Sequence, residues 1–142
     1  AAVDRDIPAL VELLGILFGQ ERDFAPDPVK QAQALAQILS RPEARLWVAR
    51  AGDEVVGMVN AQAVISTAEG GPALWLEDFV VRPAFRQRGI GTQLLQHVIC
   101  EAKARGYRRI TLLADDDNYR AQALYLRHGF QPSAMRLLRL ML

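Results

Sequence analysis

Val80-Val81-Arg82-Pro83-Ala84-Phe85-Arg86-Gln87-Arg88-Gly89-Ile90-Gly91 stands where one sequence pattern changes into another. Upstream, Leu74 to Val81 is an apolar run that predicts a strand. Arg82-Pro83 stops it, because proline lacks the ladder donor. Downstream, Leu94, Leu95, Val98, Ile99 and Ala102 recur at helical spacing. They predict a helix from Gly89 to about Arg105, closed by Gly106. Glycines at a strand-to-helix turn allow a ligand to approach the backbone closely. The free N–H groups of the helix start then carry the positive end of the dipole. Such a turn suits phosphate oxygens, and Arg86 and Arg88 add charge beside it. Glycines at such turns also occur for purely structural reasons. Two familiar phosphate loops do not match: the dinucleotide fingerprint needs a third glycine closer to its strand, and the Gly-Lys-Ser/Thr of the P-loop is missing.

Working outward, the pattern predicts a helix from Asp6 to about Gln20, with Leu10, Leu13, Leu14 and Leu17 on one face. Phe24-Ala25-Pro26-Asp27-Pro28 breaks it. A second helix, Val29 to Leu39, takes Asp27 as its N-cap and ends at Arg41-Pro42. Leu46 to Ala49 and Val55 to Ile65 read as strands around the turn Gly52-Asp53. Beyond the central unit, Arg109 to Leu113 reads as a strand, Asn118 to His128 as a helix ended by Gly129, and Met135 to Leu142 as a final strand. Strands alternating with helices imply an α/β or α+β sheet, at least partly parallel through the strand–helix–strand unit 74–113.

The 142 residues point to one domain spanning 1–142. An apolar content of 51% with 23% charged residues excludes a disordered chain. No apolar run is long enough to span a membrane, and no charged-then-apolar leader opens the sequence. The one cysteine, Cys100, excludes an intrachain disulfide framework and a multi-cysteine zinc site, and points to the cytoplasm. His97 and His128 lack metal-site spacing, so no metal is expected. A net charge of +1 argues against a nucleic-acid or membrane-surface binder. Yet residues 1–80 hold 6 Lys/Arg against 12 Asp/Glu, and residues 81–142 hold 11 against 4. One half suits a cationic ligand and the other an anionic one; chance placement of surface charge is the plainer reading.

A second motif is Asn118-x-x-Ala121-x-x-Leu124-Tyr125-x-x-x-Gly129-Phe130. Asn118 can cap its helix. Tyr125 lies two turns later on the same face, where its hydroxyl can donate a proton or simply complete a core. Taken together, the two motifs resemble the GCN5-related N-acetyltransferase family. Arg86-x-x-Gly89-x-Gly91 is similar to that family's pyrophosphate signature, 118–130 is similar to its second block, and the element order fits over nearly the whole chain.

The resemblance implies a mixed, mostly antiparallel sheet with a parallel, splayed central strand pair, 74–81 and 109–113, flanked by about four helices. It implies acetyl-coenzyme A as cofactor. The backbone of Phe79, Val80 and Val81 would pair with the pantetheine arm, and the loop Arg86, Gln87, Arg88, Gly89, Ile90, Gly91 and Thr92 would hold the pyrophosphate. Asn118 and Ala121 would lie at the pantetheine end, and Tyr125 would protonate the departing thiolate. A small cationic amine would be the acceptor in a direct N-acetyl transfer, with a backbone N–H, that of Val81, at the oxyanion. Alternatives are a non-catalytic acyl-coenzyme A sensor and a protein N-terminal or lysine acetyltransferase. Homodimers occur in the family, sometimes through the last strand.

Leu-Glu-Asp-Phe, 76–79, looks like the spermidine/spermine-type branch, with Glu77 as candidate base. Strand alternation places Trp75, Glu77, Phe79 and Val81 on one face and Leu76, Asp78 and Val80 on the other, so one carboxylate faces the acceptor unless a bulge intervenes. Asp78 is the second acidic candidate there. Glu21 and Phe24, in the break between the first two helices, fall where the family lines its acceptor pocket. The family also opens on a strand ahead of the first helix, and Ala1 to Asp4 leave little room for one.

Overall fold

The computed structural model describes residues 1–142. A short 3-10 turn, Asp4–Asp6, leads into helix α1 (Ile7–Phe18). Helix α2 (Pro28–Leu39) and strands β1 (Arg45–Ala51), β2 (Glu54–Ser66) and β3 (Gly71–Val81) follow. A second 3-10 turn, Pro83–Phe85, precedes helix α3 (Ile90–Ala104), strand β4 (Ile110–Leu112) and helix α4 (Tyr119–Arg127). The strands run in the order β1-β2-β3-β4. The first two pairings are antiparallel and β3–β4 is parallel, so the expected mixed sheet with a parallel pair is present. The chain reaches β4 from β3 through α3, as a parallel connection requires.

Each helix covers the sheet for a reason visible in its residues. Leu10, Leu13 and Leu14 of α1 and Leu35 of α2 form one core with Leu46, Val55, Met58 and Val80. Leu94, Leu95, Val98 and Ala102 of α3 and Tyr125 of α4 form a second core on the opposite face, with Trp47, Val59, Ala61, Leu74 and Leu76. Asp27 caps α2, accepting from the Lys30 N–H at 3.2 Å, as the sequence predicts. No helix is long and apolar enough to cross a membrane.

Two expectations need correction. Met135 to Leu142 is not a strand: the segment runs outside the sheet, with Leu138 91% exposed and Leu140 83%. Its apolar residues have no strand beside them to pair with. The opening strand, for which the sequence leaves little room, is indeed reduced to one backbone bond, from Ala2 N–H to Leu46 O at 2.8 Å. The strict alternation of β3 also fails. The register passes from Asn60↔Asp78 to Ala61↔Leu76, so Glu77 is the extra residue of a β-bulge. Leu74 and Leu76 therefore share the α3 face with Phe79 and Val81, while Val80 turns to the α1 face.

Asp6 ties the start of α1 to the sheet. Its buried carboxylate accepts from Arg50 Nη2 at 2.7 Å through each oxygen, and from the Val3 N–H at 3.0 Å. Asp6→Ala leaves these donors unpartnered beside α1. It should lower stability by on the order of 2 kcal/mol, measurable as a shifted urea midpoint with unchanged slope.

Candidate active site

The parallel pairing of β3 with β4 covers only Leu74↔Ile110, Trp75↔Thr111 and Leu76↔Leu112. Beyond Leu112 the chain leaves the sheet, while β3 continues to Val81. One edge of β3 past the bulge thus faces a cleft instead of a strand. The cleft has a volume of about 980 Å³. Glu77, Phe79, Val80 and Val81 form one wall, and Leu113, Ala114 and Asp115 lie opposite. A smaller hollow of about 640 Å³ between α2 and β2 is lined by polar side chains such as Lys30, Gln37 and Arg41 and holds none of the sequence motifs.

At one end the cleft meets the start of α3. Gly89 is the N-cap in the left-handed region, φ 78°, and no side chain caps the helix. The first helical bond here runs from Gln93 N–H to Gly89 O, so the N–H groups of Ile90, Gly91 and Thr92 are available to an anion. A Cβ on Gly89 would project into open space, whereas one on Gly91 would touch Leu124 and Phe79 at 3.7 Å. Gly89 is thus needed for its backbone angle, and Gly91 sits against the side-chain core. Gln87 also holds a positive φ, 61°, a conformation rarely adopted by a residue with a side chain. Such strain concentrates in ligand-binding loops.

The two arginines of the motif divide. Arg86 donates from Nε to Val81 O at 3.0 Å, which locks the loop to the end of β3, and it lines the cleft. Arg88 lies outside the lining, with its guanidinium over the Phe85 ring at 5.2 Å from the centroid. Arg82, just before the loop, bonds Val55 O at 3.0 Å and Glu12 at 2.7 Å, pinning strand β3 to α1 and β2.

Asn118 takes its structural role: its Oδ1 accepts from the Ala121 N–H at 3.2 Å and caps α4. Both residues also line the cleft. Tyr125 points from α4 into the same space. It is buried, with its ring 6.1 Å from that of Phe79 and 5.7 Å from that of Phe130. Burial pushes its pKa up to about 12, so the hydroxyl keeps its proton at neutral pH. A phenol held this way is a proton donor in position.

The other end of the cleft is acidic. Glu21, Asp23 and Phe24, after α1, line it together with Glu77. Glu77 is exposed at the bulge. Asp78 is not part of the lining: it accepts from Asn60 Nδ2 at 3.0 Å, and burial raises its pKa despite that bond. Glu21 is half-buried as a residue, but its Oε2 is covered and accepts no hydrogen bond from the chain. Desolvation, then the charges of Asp115, Asp78 and Asp23, raise its pKa to about 7; Arg139 opposes them.

Leu137 and Arg139 are cleft residues that the sequence reading missed. Arg139 reaches back to Asp23 at 2.9 Å and lies over the Phe24 ring at 4.8 Å. No local signal marks Arg139, because its partners sit 116 positions away in the sequence. Arg120 on α4 was missed as well, and it adds a cation along the same cleft.

Comparison with known proteins bears on the family and the fold. The family model described as "Acetyltransferase (GNAT) family" matches residues 8–130. N-acetyltransferase 8F1 of Rattus norvegicus is 35% identical over 92 residues, 65% of this chain and 42% of that protein. The chain thus spans about two fifths of the length of the curated relatives it matches. Among solved structures, an integron cassette protein from the mobile metagenome of Cole Harbour Salt Marsh is 30% identical with a TM-score of 0.85. That alignment covers 99% of this chain and 88% of the other. A putative acetyltransferase from Agrobacterium tumefaciens str. C58 is 25% identical with a TM-score of 0.83, covering 99% and 97%.

Gly89→Val forces a β-branched residue into the left-handed region at the mouth of the cleft. It should cost about 1–2 kcal/mol in stability, seen as a lower melting temperature. Gly91→Ala, whose Cβ meets only ordinary contacts, should melt within a few degrees of wild type.

Proposed function

The chain belongs to the GNAT acetyltransferase family, and on that footing we propose that it transfers an acetyl group from acetyl-coenzyme A to the amine of a small cationic acceptor. One observation carries the reading: the freed edge of β3, the uncapped start of α3 and the side chain of Tyr125, a buried residue, all line one cleft.

The residues present fit the cofactor. The N–H groups of Ile90, Gly91 and Thr92 meet pyrophosphate oxygens, supported by the dipole of α3 and by Arg86. The strained Gln87–Gly89 backbone exposes the same loop. Phe79 and Val81 offer main-chain groups to the amides of a pantetheine arm, in the manner of strand addition, whereas Val80, two residues before the Arg82 N–H that bonds Val56 O, turns its own toward β2. Acetyl-coenzyme A supplies an activated thioester when bound. The chain's part is then to orient, polarise and move protons. Val81 N–H serves the developing oxyanion, Arg86 holding the carbonyl of the same residue in place. Tyr125 protonates the departing sulfur: with a pKa of about 12 it is fully protonated at neutral pH and gives up its proton only as negative charge builds on that sulfur. Glu77 lines the acceptor end, where Glu21 and Asp23 give a negative field suited to an ammonium group.

The test is release of free thiol from acetyl-coenzyme A with a panel comprising a polyamine, an aromatic amine, an aminoglycoside and a short peptide with a free N-terminus. Turnover is expected with a polycationic small amine. Turnover confined to the peptide would replace the acceptor class, and binding without any turnover would leave a sensor. Tyr125→Phe should lower kcat about 10²-fold with acetyl-coenzyme A affinity unchanged. Gly89→Val, assayed where it remains folded, should weaken that affinity at least tenfold by calorimetry, because its side chain enters the space the phosphates need.

A further inference from the structure

We propose that Glu21, not Glu77, takes the proton from the acceptor ammonium in the transfer reaction proposed above, a step that rests on that reading. The two glutamates line the same cleft, so position alone does not choose between them. Their surroundings do. Glu77 is the extra residue of the β3 bulge and stands in water. Glu21 has one carboxylate oxygen, Oε2, shut away from water and receiving no hydrogen bond. A covered acceptor atom without a donor makes the carboxylate expensive to keep ionised, and an ammonium that reaches its other, uncovered oxygen from the cleft relieves that cost.

The groups that face Glu21 leave it the task. Asp78, from β3, is half-buried, accepts from Asn60 and lies outside the lining. Asp23, on the same loop, is engaged by Arg139 at 2.9 Å. Asp115, from the loop between β4 and α4, is exposed. Arg139, from the C-terminal segment, is held by Asp23 and by the face of Phe24. It is thereby kept from pairing with Glu21, which accepts nothing from it. The pKa near 7 agrees with the assignment, since a base works best when its pKa lies close to the working pH.

The proton count closes. The bound ammonium gives one proton to Glu21, which later returns it to solvent. The neutral nitrogen forms the C–N bond to the acetyl carbon, and the C–S bond breaks. Tyr125 gives its proton to the sulfur. The second proton of the attacking nitrogen restores the tyrosine. An amide, a free thiol and one released proton result.

The experiment uses the amine that gives most turnover in the panel above. For wild type, kcat/KM should include a limb that rises through about pH 7. Glu21→Gln should remove that limb and lower kcat/KM about 10²-fold at pH 8, with acetyl-coenzyme A affinity within twofold of wild type. Glu77→Gln should keep the limb. Glu21→Asp should restore part of the rate. A second readout separates chemistry from folding. The carboxyl's folded pKa, about 7, lies above its ordinary value of 4.5, so folding is penalised as pH rises between these values and fully above 7. Glu21→Gln should therefore melt higher than wild type at pH 8 and lose that advantage at pH 5. An intact limb in Glu21→Gln, or its loss in Glu77→Gln instead, overturns the assignment while leaving acetyl transfer standing. Equal melting curves at both pH values would remove the covered carboxylate on which it is built. Absence of turnover by wild type with every amine overturns the transfer reading itself, and the role of Glu21 with it.

Discussion

Everything in the candidate site depends on two strands that part. Strands β3 and β4 run parallel and pair for only three residues, after which β3 continues alone to Val81. A lone strand edge within a covered sheet is normally a liability, since its polar groups lack partners. Here the edge is bordered by the cleft, by the start of α3 and by α4. The bulge at Glu77 falls at the point of parting. It absorbs one residue, so that Phe79 and Val81 turn toward α3 and α4 while Val80 packs against α1. Without it, Phe79 would leave the ring of Tyr125, and the tyrosine would lose part of the wall that holds it.

Charge is distributed along this cleft much as it is along the sequence. The loop before α3 contributes the helix dipole and Arg86, while the segment after α1 contributes Glu21 and Asp23. The two ends are fixed by different means. Arg82 bonds α1 and β2 to the loop before α3, and Asp6 bonds the start of α1 to β1. The acidic end is thereby carried on a helix tied to the same sheet that carries the loop. A flexible tether between them would let the ends drift and lose the register a single bound ligand pair requires.

Local features were legible in the sequence. Asp27 and Asn118 cap their helices, Gly89 takes the left-handed angle, and α3 shows its stripe, because each follows from residues a few positions apart. Features set by distant partners were not. The bulge is decided by where β2 slips against β3, at Asn60 and Ala61, and the alternation of β3 alone is silent on it. Asp78 reads as a second acidic site residue until Asn60 is seen to hold it. The tail 135–142 has the apolar content of a strand, yet only a neighbour can make it one; instead it brings Leu137 and Arg139 to the cleft. The covering of Glu21 is likewise a tertiary effect, raised by Asp115 and Asp78 from elements far away in sequence.

That covering bears on how a carboxylate with a raised pKa would serve the cationic acceptor proposed above. An ammonium beside Glu21 would favour the ionised carboxylate, so binding would itself draw Glu21 into the form able to take a proton. The ion pair so formed would then involve a carboxylate with one oxygen cut off from water. Moving one proton across it yields a neutral amine and a neutral acid, and a poorly solvated site penalises the ion pair more than the neutral pair. Water would reverse that preference, because the amine is by several units the stronger base there. Arg139 must accordingly stay with Asp23: a guanidinium moved onto Glu21 would fix the carboxylate as a permanent anion and leave the ammonium its proton.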